Sequence, residues 1–366
     1  MQVLVITGSY PPRVCGIADY TALLNEALFG IGYGIEVVTS QQSAETRWPV
    51  EAVGKWNLIT MFRILRTISS RRPDVVIIQF QLGIYSGSAS ICFLPMLARL
   101  LTKARVITTF HDLNGPPSWG RLHRLGVASA LLGSDHVVVC SKKQLAAVKR
   151  IPALRDRASL IPVGPAVRQR DWTGYPEMPR ITCFGFVWRN RGLEEVIDAC
   201  AQVCRSGTPI RLAFVGGVVD RDYADELIGY ADASGLSSKN LEFTGELPED
   251  RVGEVLANST MAVLPFPTGV STGRSTFVTC ASLGMPIVTT CCPENWPEEL
   301  TGNSPAVMSY PPGDVALLAQ HIRSVCTDQA LGRQLGRNIG MLAGNWTWAS
   351  IARRYAEAFG EGRSLA

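Results

Sequence analysis

Short apolar runs alternate along most of this chain with longer stretches that carry apolar residues at helical spacing. Val3–Thr7 is a run of strand length. Ile17–Gly30 follows, with Ile17, Tyr20, Leu23, Leu24, Ala27 and Leu28 on one helical stripe. The pattern then predicts a strand at Glu36–Thr39, a helix over Lys55–Ile68, a strand at Asp74–Gln79 and a helix over Ala89–Leu101. Strands at Arg105–Thr109, His136–Cys140 and Ser159–Pro162 complete the first half. Residues 164–179, GPAVRQRDWTGYPEMP, hold three prolines, two glycines and no periodicity, the composition of a linker.

The alternation then restarts. Strands at Ile181–Gly185, Arg211–Val215 and Leu241–Thr244 are followed by helices over Leu193–Cys204, Tyr223–Ala233 and Glu249–Leu256. Met261–Leu264 and Ile287–Thr290 are buried strands on either side of a glycine-bearing loop and a helix. A strand near Ala306–Met308 and a helix from Asp314 to Cys326 come next. The tail, NWTWASIARRYAEAFGE, predicts an amphipathic helix with Trp346, Trp348, Ile351, Tyr355 and Phe359 available for burial. Such alternation means parallel sheets covered on both faces. Two of them imply an α/β protein of two doubly wound, Rossmann-like domains facing across a cleft, with ligands at the carboxyl ends of the strands.

Composition narrows the function classes. A chain of 366 residues accommodates two domains of roughly 150 residues, each with its own core. A net charge of +4 is too small to argue for nucleic acid. No apolar stretch reaches the ~18 residues of a membrane span, and MQVLVITGSYPP reads as a first strand, not a signal peptide. The ten cysteines include adjacent Cys291 and Cys292 but no CxxC pair, and the four histidines are scattered. Reduced thiols, a cytoplasmic location and no metal site are therefore expected.

Three strand-to-helix crossovers carry candidate chemistry. After Met261–Leu264, the loop places Gly269, Ser271, Thr272, Gly273 and Ser275 ahead of a helix. Unpaired backbone N–H groups and the positive end of the helix dipole suit an anion such as a diphosphate, and Arg274 adds a fixed charge. A serine- and threonine-rich cap without a ligand fits the same residues. In FGFVWRNRGL, Arg189 and Arg191 lead to another helix start, where they would neutralise a diphosphate or stand as surface charges. VITTFHDL runs a buried strand into His111 and Asp112, which either meet a ligand or cap a turn. YPPRVCGIADY places Gly16 at a helix start and Asp19 in its first turn, and it lacks the GxGxxG of a nicotinamide-binding turn. Gln79, Gln81 and Tyr85 are weaker strand-end positions, and Arg71–Arg72 and Lys142–Lys143 read as solvated faces.

Taken in order, these segments resemble a family-4 retaining glycosyltransferase of GT-B architecture. YPPRVCGIADYTALL resembles its glycine-bearing N-terminal loop, TTFHDL the strand end with the active-site histidine, and FGFVWRNRGLEEVIDA its FxGR…KGxxxLIxA motif. SDHVVVCSKKQL and LIPVGPAV resemble the strands before the interdomain linker, and LEFTGELPEDRVGEVLANSTMAVLPF the nucleotide-base region. GMPIVTT resembles the strand after the donor helix, and the tail resembles a helix crossing back to the first domain.

The resemblance implies an N-terminal acceptor-side domain over 1–165, a donor-side domain over 166–345 and a terminal helix over 346–366. It implies hexosyl-type transfer from a nucleotide-diphosphate sugar to a sugar-containing or small-molecule acceptor, in polysaccharide or glycoconjugate biosynthesis. No cofactor is implied beyond the nucleotide sugar, which is a substrate, and the implied partners extend to peripheral membrane contact. His111, Arg189 and Arg191 take the catalytic positions, with His111 on the sugar and Arg191 on the diphosphate. Gly16 lies beside the phosphates, the backbone at Gly269, Val270, Ser271 and Thr272 cradles the donor with Arg274, and Gly245, Glu246 and Leu247 border the base. Asp19, Gln81 and Tyr85 fall on the acceptor side.

Three departures stand out. Phe186 replaces the arginine of FxGR, so Arg189 is expected to substitute for it, and Cys15 replaces a frequent second glycine. The family's paired glutamates read Ser271 and Thr279, which resembles a branch carrying a GxSxxR-type loop. Lost carboxylates also fit a non-catalytic nucleotide-sugar-binding protein, and the same scaffold fits a nucleotide-sugar epimerase.

Overall fold

The computed structural model describes residues 1–13, 15–41, 47–113, 122–168, 170–297, 300 and 305–360. The chain divides into two compact units, Met1–Gly164 with Trp348–Ala366, and Pro165–Thr347. The first unit runs β1 (Gln2–Ile6), α1 (Gly16–Gly30), β2 (Gly34–Thr39), β3 (Val50–Ala52), α2 (Leu58–Arg71), β4 (Val75–Phe80) and α3 (Leu94–Leu101). It continues β5 (Arg105–Phe110), α4 (Leu122–Gly133), β6 (His136–Val139), α5 (Lys142–Lys149) and β7 (Ala158–Leu160). Its strands are all parallel, in the order β3-β2-β1-β4-β5-β6-β7. The order reverses between β1 and β4, and the crevice that binds ligands in such sheets opens at their carboxyl ends.

Successive steps from β3 to β6 move the same way across the sheet from β1 outward, so right-handed crossovers lay α2, α3 and α4 side by side on one face. α2 begins at Leu58, later than its apolar pattern suggests, because Asn57 caps it by accepting from the Thr60 N–H at 2.9 Å. The predicted helix Ala89–Leu101 is two pieces, a 3₁₀ turn over Ala89–Cys92 and then α3. Pro95 sits in the first turn of α3, where its missing N–H costs nothing. Arg71 is not simply solvated. It bridges Glu36 of β2 at 2.6 Å and Glu51 of β3 at 2.7 Å.

The second unit repeats the plan with β8 (Arg180–Phe184), α6 (Leu193–Arg205), β9 (Arg211–Val215), α7 (Arg221–Ser234), β10 (Leu241–Phe243), α8 (Glu249–Ala257) and β11 (Met261–Leu264). α9 (Ser275–Ser282), β12 (Ile287–Thr290), β13 (Met308–Tyr310), α10 (Val315–Thr327) and α11 (Gln329–Ala343) follow. The sheet is parallel with order β10-β9-β8-β11-β12-β13, and its switch point lies between β8 and β11. The proline-rich 165–179 segment is no free linker, since Trp172 donates its indole N–H to the Ser259 carbonyl at 2.6 Å within this unit.

After Thr347 the chain rejoins the first unit as α12 (Trp348–Ala358). α12 packs on α1, and the buried Tyr355 hydroxyl bonds Tyr20 at 2.9 Å and Thr109 at 2.6 Å. All ten cysteines are free. No helix among the described residues is long and apolar enough to cross a membrane.

Candidate functional site

In the second unit, the two strands at the switch point each deliver an arginine. β8 is followed by Gly185, where φ is +122°, and the loop leads through Arg191 to α6. The Arg191 side chain turns back on this loop and donates to the Phe186 carbonyl at 2.5 Å and to the Phe184 carbonyl. A Cβ on Gly185 would stand 2.6 Å from Arg191 Nη2, so glycine serves both the backbone angle and the seat of the guanidinium. Arg191 is only 8% exposed, yet no carboxylate among the described residues pairs with it. Buried arginines ordinarily have such a partner.

The β11 loop is rigid at its base. Phe266 donates its N–H to the Thr290 hydroxyl at 2.9 Å, and that hydroxyl donates back to the Phe266 carbonyl at 2.6 Å. Gly269 has φ +77° and lies so near Cys292 that a Cβ would come within 2.7 Å of the Cys292 Cβ. Arg274 lies over the Phe266 ring, 4.7 Å from its centroid, and donates to the Thr268 hydroxyl at 2.8 Å. Burial, and then the positive charge of Arg191, push its pKa below the ordinary arginine value. Two guanidinium groups therefore feel each other's charge with no described carboxylate paired to either.

The backbone donors differ from the expectation. The Gly269 N–H donates to the Phe266 carbonyl at 2.9 Å and the Val270 N–H to the Thr290 carbonyl at 3.2 Å, so both serve the loop itself. Among the described residues, no partner takes the N–H groups of Ser271 and Gly273 or those of Ser275, Thr276 and Phe277 in the first turn of α9. Arg274 occupies the cap position of α9 without a side-chain cap bond. The available donors thus lie toward the helix, where its dipole also favours an anion. Ser271 and Thr272 are nearly buried beside them.

Thr279 is fully buried. Its hydroxyl accepts from the Ala166 N–H at 2.7 Å and donates to the Ser275 carbonyl at 2.7 Å, which makes it part of the packing. Gly245 follows β10 and bridges to Gly216, with Glu246 exposed and Leu247 half-buried beyond it.

Arg189 is already occupied by protein carboxylates. It makes a two-pronged contact with Glu226, both bonds at 2.7 Å, reaches Asp220 at 3.1 Å, and lies over the Tyr223 ring. The carboxylates raise its pKa, and its charge is balanced within the unit. Arg274, not Arg189, is the second uncompensated guanidinium beside Arg191.

In the first unit, β5 carries His111 to the carboxyl edge of the sheet. Its N–H donates to the Phe80 carbonyl at 3.1 Å, and its ring meets Tyr20 edge-on at 5.0 Å. Nε2 lies 2.8 Å from Gln79 Oε1. An amide oxygen can only accept, so the imidazole proton sits on Nε2 and Nδ1 is left as an acceptor. Burial holds the His111 pKa down at about 4, which keeps the ring neutral near pH 7. Gln79 is completely buried and its Nε2 has no partner among the described residues, so this strand residue is the companion of His111. Its place in an apolar strand, VVIIQF, was the only signal for it in the sequence.

Tyr85, expected on the acceptor side, lies in the core. It is wholly buried, donates to the Gln79 carbonyl at 2.6 Å and packs edge-on against Trp56. Gln81 precedes the 3₁₀ turn Leu82–Tyr85 and is half-buried. Gly16 opens α1 on the surface with nothing within 4 Å of where a Cβ would stand, and Asp19 is exposed in the first turn.

Comparison with known proteins follows this geometry. Residues 15–164 match the glycosyl transferase 4-like domain, and residues 178–328 match the glycosyl transferases group 1 domain. HepE from Anabaena, solved in complex with UDP, is 16% identical over 98% of this chain and 100% of its own, with a TM-score of 0.77. Sucrose-phosphate synthase from Thermosynechococcus elongatus is 16% identical over 98% of both chains, with a TM-score of 0.73. WaaG, a glycosyltransferase involved in lipopolysaccharide biosynthesis, is 15% identical over 98% of this chain and 100% of its own, with a TM-score of 0.71. Among curated protein sequences there is no match. The two domain models meet across the proline-rich segment and together span most of the chain, which belongs to the group 1 glycosyltransferases and has their two-domain GT-B fold.

Proposed function

We propose that this protein transfers a sugar from a nucleoside-diphosphate sugar to a sugar-containing or small-molecule acceptor, with retention at the anomeric carbon. The observation that carries this reading is the pair Arg191 and Arg274, two guanidinium groups without carboxylate partners among the described residues, with the N–H groups of Ser271, Gly273 and the first turn of α9 likewise unpartnered among them. Isolated cations at such proximity are unfavourable, and a diphosphate with two or more negative charges relieves both at once. In the reaction, the same groups stabilise the charge that grows on the departing diphosphate. Neutral His111 offers Nδ1 as an acceptor for a sugar hydroxyl, while Gln79 fixes the ring.

A non-catalytic nucleotide-sugar-binding role is the second reading. Ser271 and Thr279 bring no carboxylate, and the Thr279 hydroxyl is committed to Ala166 and Ser275. One experiment separates the two. Thermal shift with UDP-, GDP-, ADP- and dTDP-sugars identifies the donor, because a ligand that binds the native state raises the midpoint. Donor turnover is then followed by NMR at the anomeric proton. Release of nucleoside diphosphate with retained configuration supports transfer, and binding without any turnover supports the second reading.

A further inference from the structure

Past the carboxyl edge of the second sheet, the chain beyond β8 and β9 continues as a short two-stranded ribbon. Val187 donates its N–H to the Gly217 carbonyl at 2.9 Å, and Val219 donates its own to the Val187 carbonyl at 3.1 Å. Val187 and Val218 are thereby paired in parallel register. Side chains alternate between the faces of such a ribbon. Val187 is buried with the core residues of α6 and α7, so Phe186 and Trp188, one residue to either side, stand on the opposite face. Strand order steps one way from β8 to β10 and the other way from β11 to β12, so right-handed crossovers put α8 and α9 on that face. The start of α9 and the Phe186 side chain thus share one face of the second sheet.

Phe186 is 45% exposed and Trp188 57%. A scattered exposed aromatic needs no explanation, but Phe186 is seated. Its carbonyl accepts from Arg191 at 2.5 Å. One side of its ring rests on Gly217, where a Cβ would stand 3.3 Å from ring Cδ1 and Cε1. The ring is an apolar plate laid on bare backbone, next to the arginine of the diphosphate site.

A diphosphate held by Arg191 and the start of α9 can lead its organic group along this edge in two directions. Toward β12 the way is filled by the loop itself, because Gly269 lies against Cys292 and the Val270 N–H bonds the Thr290 carbonyl. Toward β9 the edge is low, since Gly216 and Gly217 carry no side chains and Gly216 bridges to Gly245 just past β10. Phe186 lies on that second path. Every nucleobase has a π face that can stack on such a ring, whatever its hydrogen-bonding edge.

We infer that Phe186 is the stacking platform for the nucleobase of the bound nucleoside diphosphate, strengthening the hold on the nucleoside and not on the phosphates. The inference rests on the diphosphate reading of Arg191 and Arg274. At this position the chain departs from the FxGR motif, so the platform is a property of this sequence.

Calorimetry of the full chain with UDP, GDP, ADP and inorganic pyrophosphate tests it, on the wild type and on Phe186→Ala. The alanine variant should bind the tightest of the three nucleotides roughly 5- to 100-fold more weakly, and pyrophosphate within about twofold of the wild type. Phe186→Tyr, which keeps the π face, should hold the nucleotide affinity. Unchanged nucleotide affinity in Phe186→Ala overturns the inference. So does an equal loss for pyrophosphate, which would make the ring a support for Arg191 alone. A wild type that binds neither nucleotide nor pyrophosphate overturns the diphosphate reading first, and this inference with it. Should Phe186→Ala fail to fold, intermolecular NOEs between base protons and the Phe186 ring are sought in the saturated wild-type complex, and their absence overturns the inference.

Discussion

Replacing Arg191 by methionine separates two roles that a buried arginine can have. An arginine that holds a fold together leaves carbonyls and carboxylates unpaired when it is removed, and stability falls. Among the described residues, Arg191 bonds only the carbonyls of Phe184 and Phe186, pairs with no carboxylate, and feels the charge of Arg274. Removing it loses two charge-assisted bonds, about 1.5–3 kcal/mol each in isolation, but also removes a buried charge whose desolvation costs several kcal/mol. These terms oppose each other, so the Arg191→Met melting midpoint should stay within about 4 °C of the wild type. Nucleoside diphosphate binding should respond very differently. Loss of a fork of charge-assisted bonds to phosphate costs about 2–4 kcal/mol, a weakening of roughly 30- to 1000-fold by calorimetry. Arg191→Lys should recover part of it, as a point charge without the fork. A midpoint that drops by about 10 °C with affinity unchanged would refute the assignment.

Four further outcomes follow from the same geometry. Thr279→Val orphans the Ala166 N–H and should cost about 1–2 kcal/mol, seen as a midpoint lowered by about 2–6 °C, while nucleotide affinity holds; loss of affinity without loss of stability would contradict this packing role. Arg189→Met should change nucleotide affinity by less than about threefold, because Arg189 is spent on Glu226 and Asp220 at the surface; a tenfold loss would return it to the phosphate site. His111→Ala should lower transfer by ~100-fold or more and leave nucleoside diphosphate affinity nearly unchanged, and equal losses in both would move His111 off the sugar. Burial, with Arg105 adding to it at His136, holds the folded-state pKa of His111 and of His136 at about 4. The unfolded chain therefore takes up protons first, and stability is lost as pH falls from about 6.5 to 4, by of order 3 kcal/mol per histidine. Melting midpoints of wild type and of His111→Asn with His136→Gln should converge toward pH 4 relative to their gap at pH 7, and a constant gap would contradict the shift.

Most of the fold was legible in the sequence because its strands are buried on both faces and read as apolar runs. β8, β9, β11 and β12 came within a residue of their limits. What escaped has physical reasons. β3 is three half-buried residues at a sheet edge and leaves no apolar run. The sequence pattern gives no helix over α11, which carries the poor helix formers Gly332, Gly336 and Gly340. In the structure they line one face, where a Cβ would collide with Tyr175 and Gly284 at the first two positions and crowd Gly284 at the third, so close packing outweighs their poor helix propensity.

The site was legible as loops and residue types, and less so as partnerships. Arg191, Arg274, Ser271 and His111 stand where strand ends meet the crevices of their own sheets. The sequence could not show that Glu226 and Asp220, distant along the chain, take Arg189. Nor could it show that Thr290 takes the Val270 N–H, or that Gln79 holds His111, since each depends on strands brought together only by folding.

The central claim is that Arg191 and Arg274 form one diphosphate site with the start of α9. A crystal structure of the protein with the nucleoside diphosphate selected by thermal shift tests it most directly. The account predicts phosphate oxygens within hydrogen-bond distance of both guanidinium groups and of the N–H groups of Ser271, Gly273 or the first turn of α9. A diphosphate bound elsewhere, with Arg191 still turned onto the carbonyls of Phe184 and Phe186 and Arg274 still over Phe266, would contradict it.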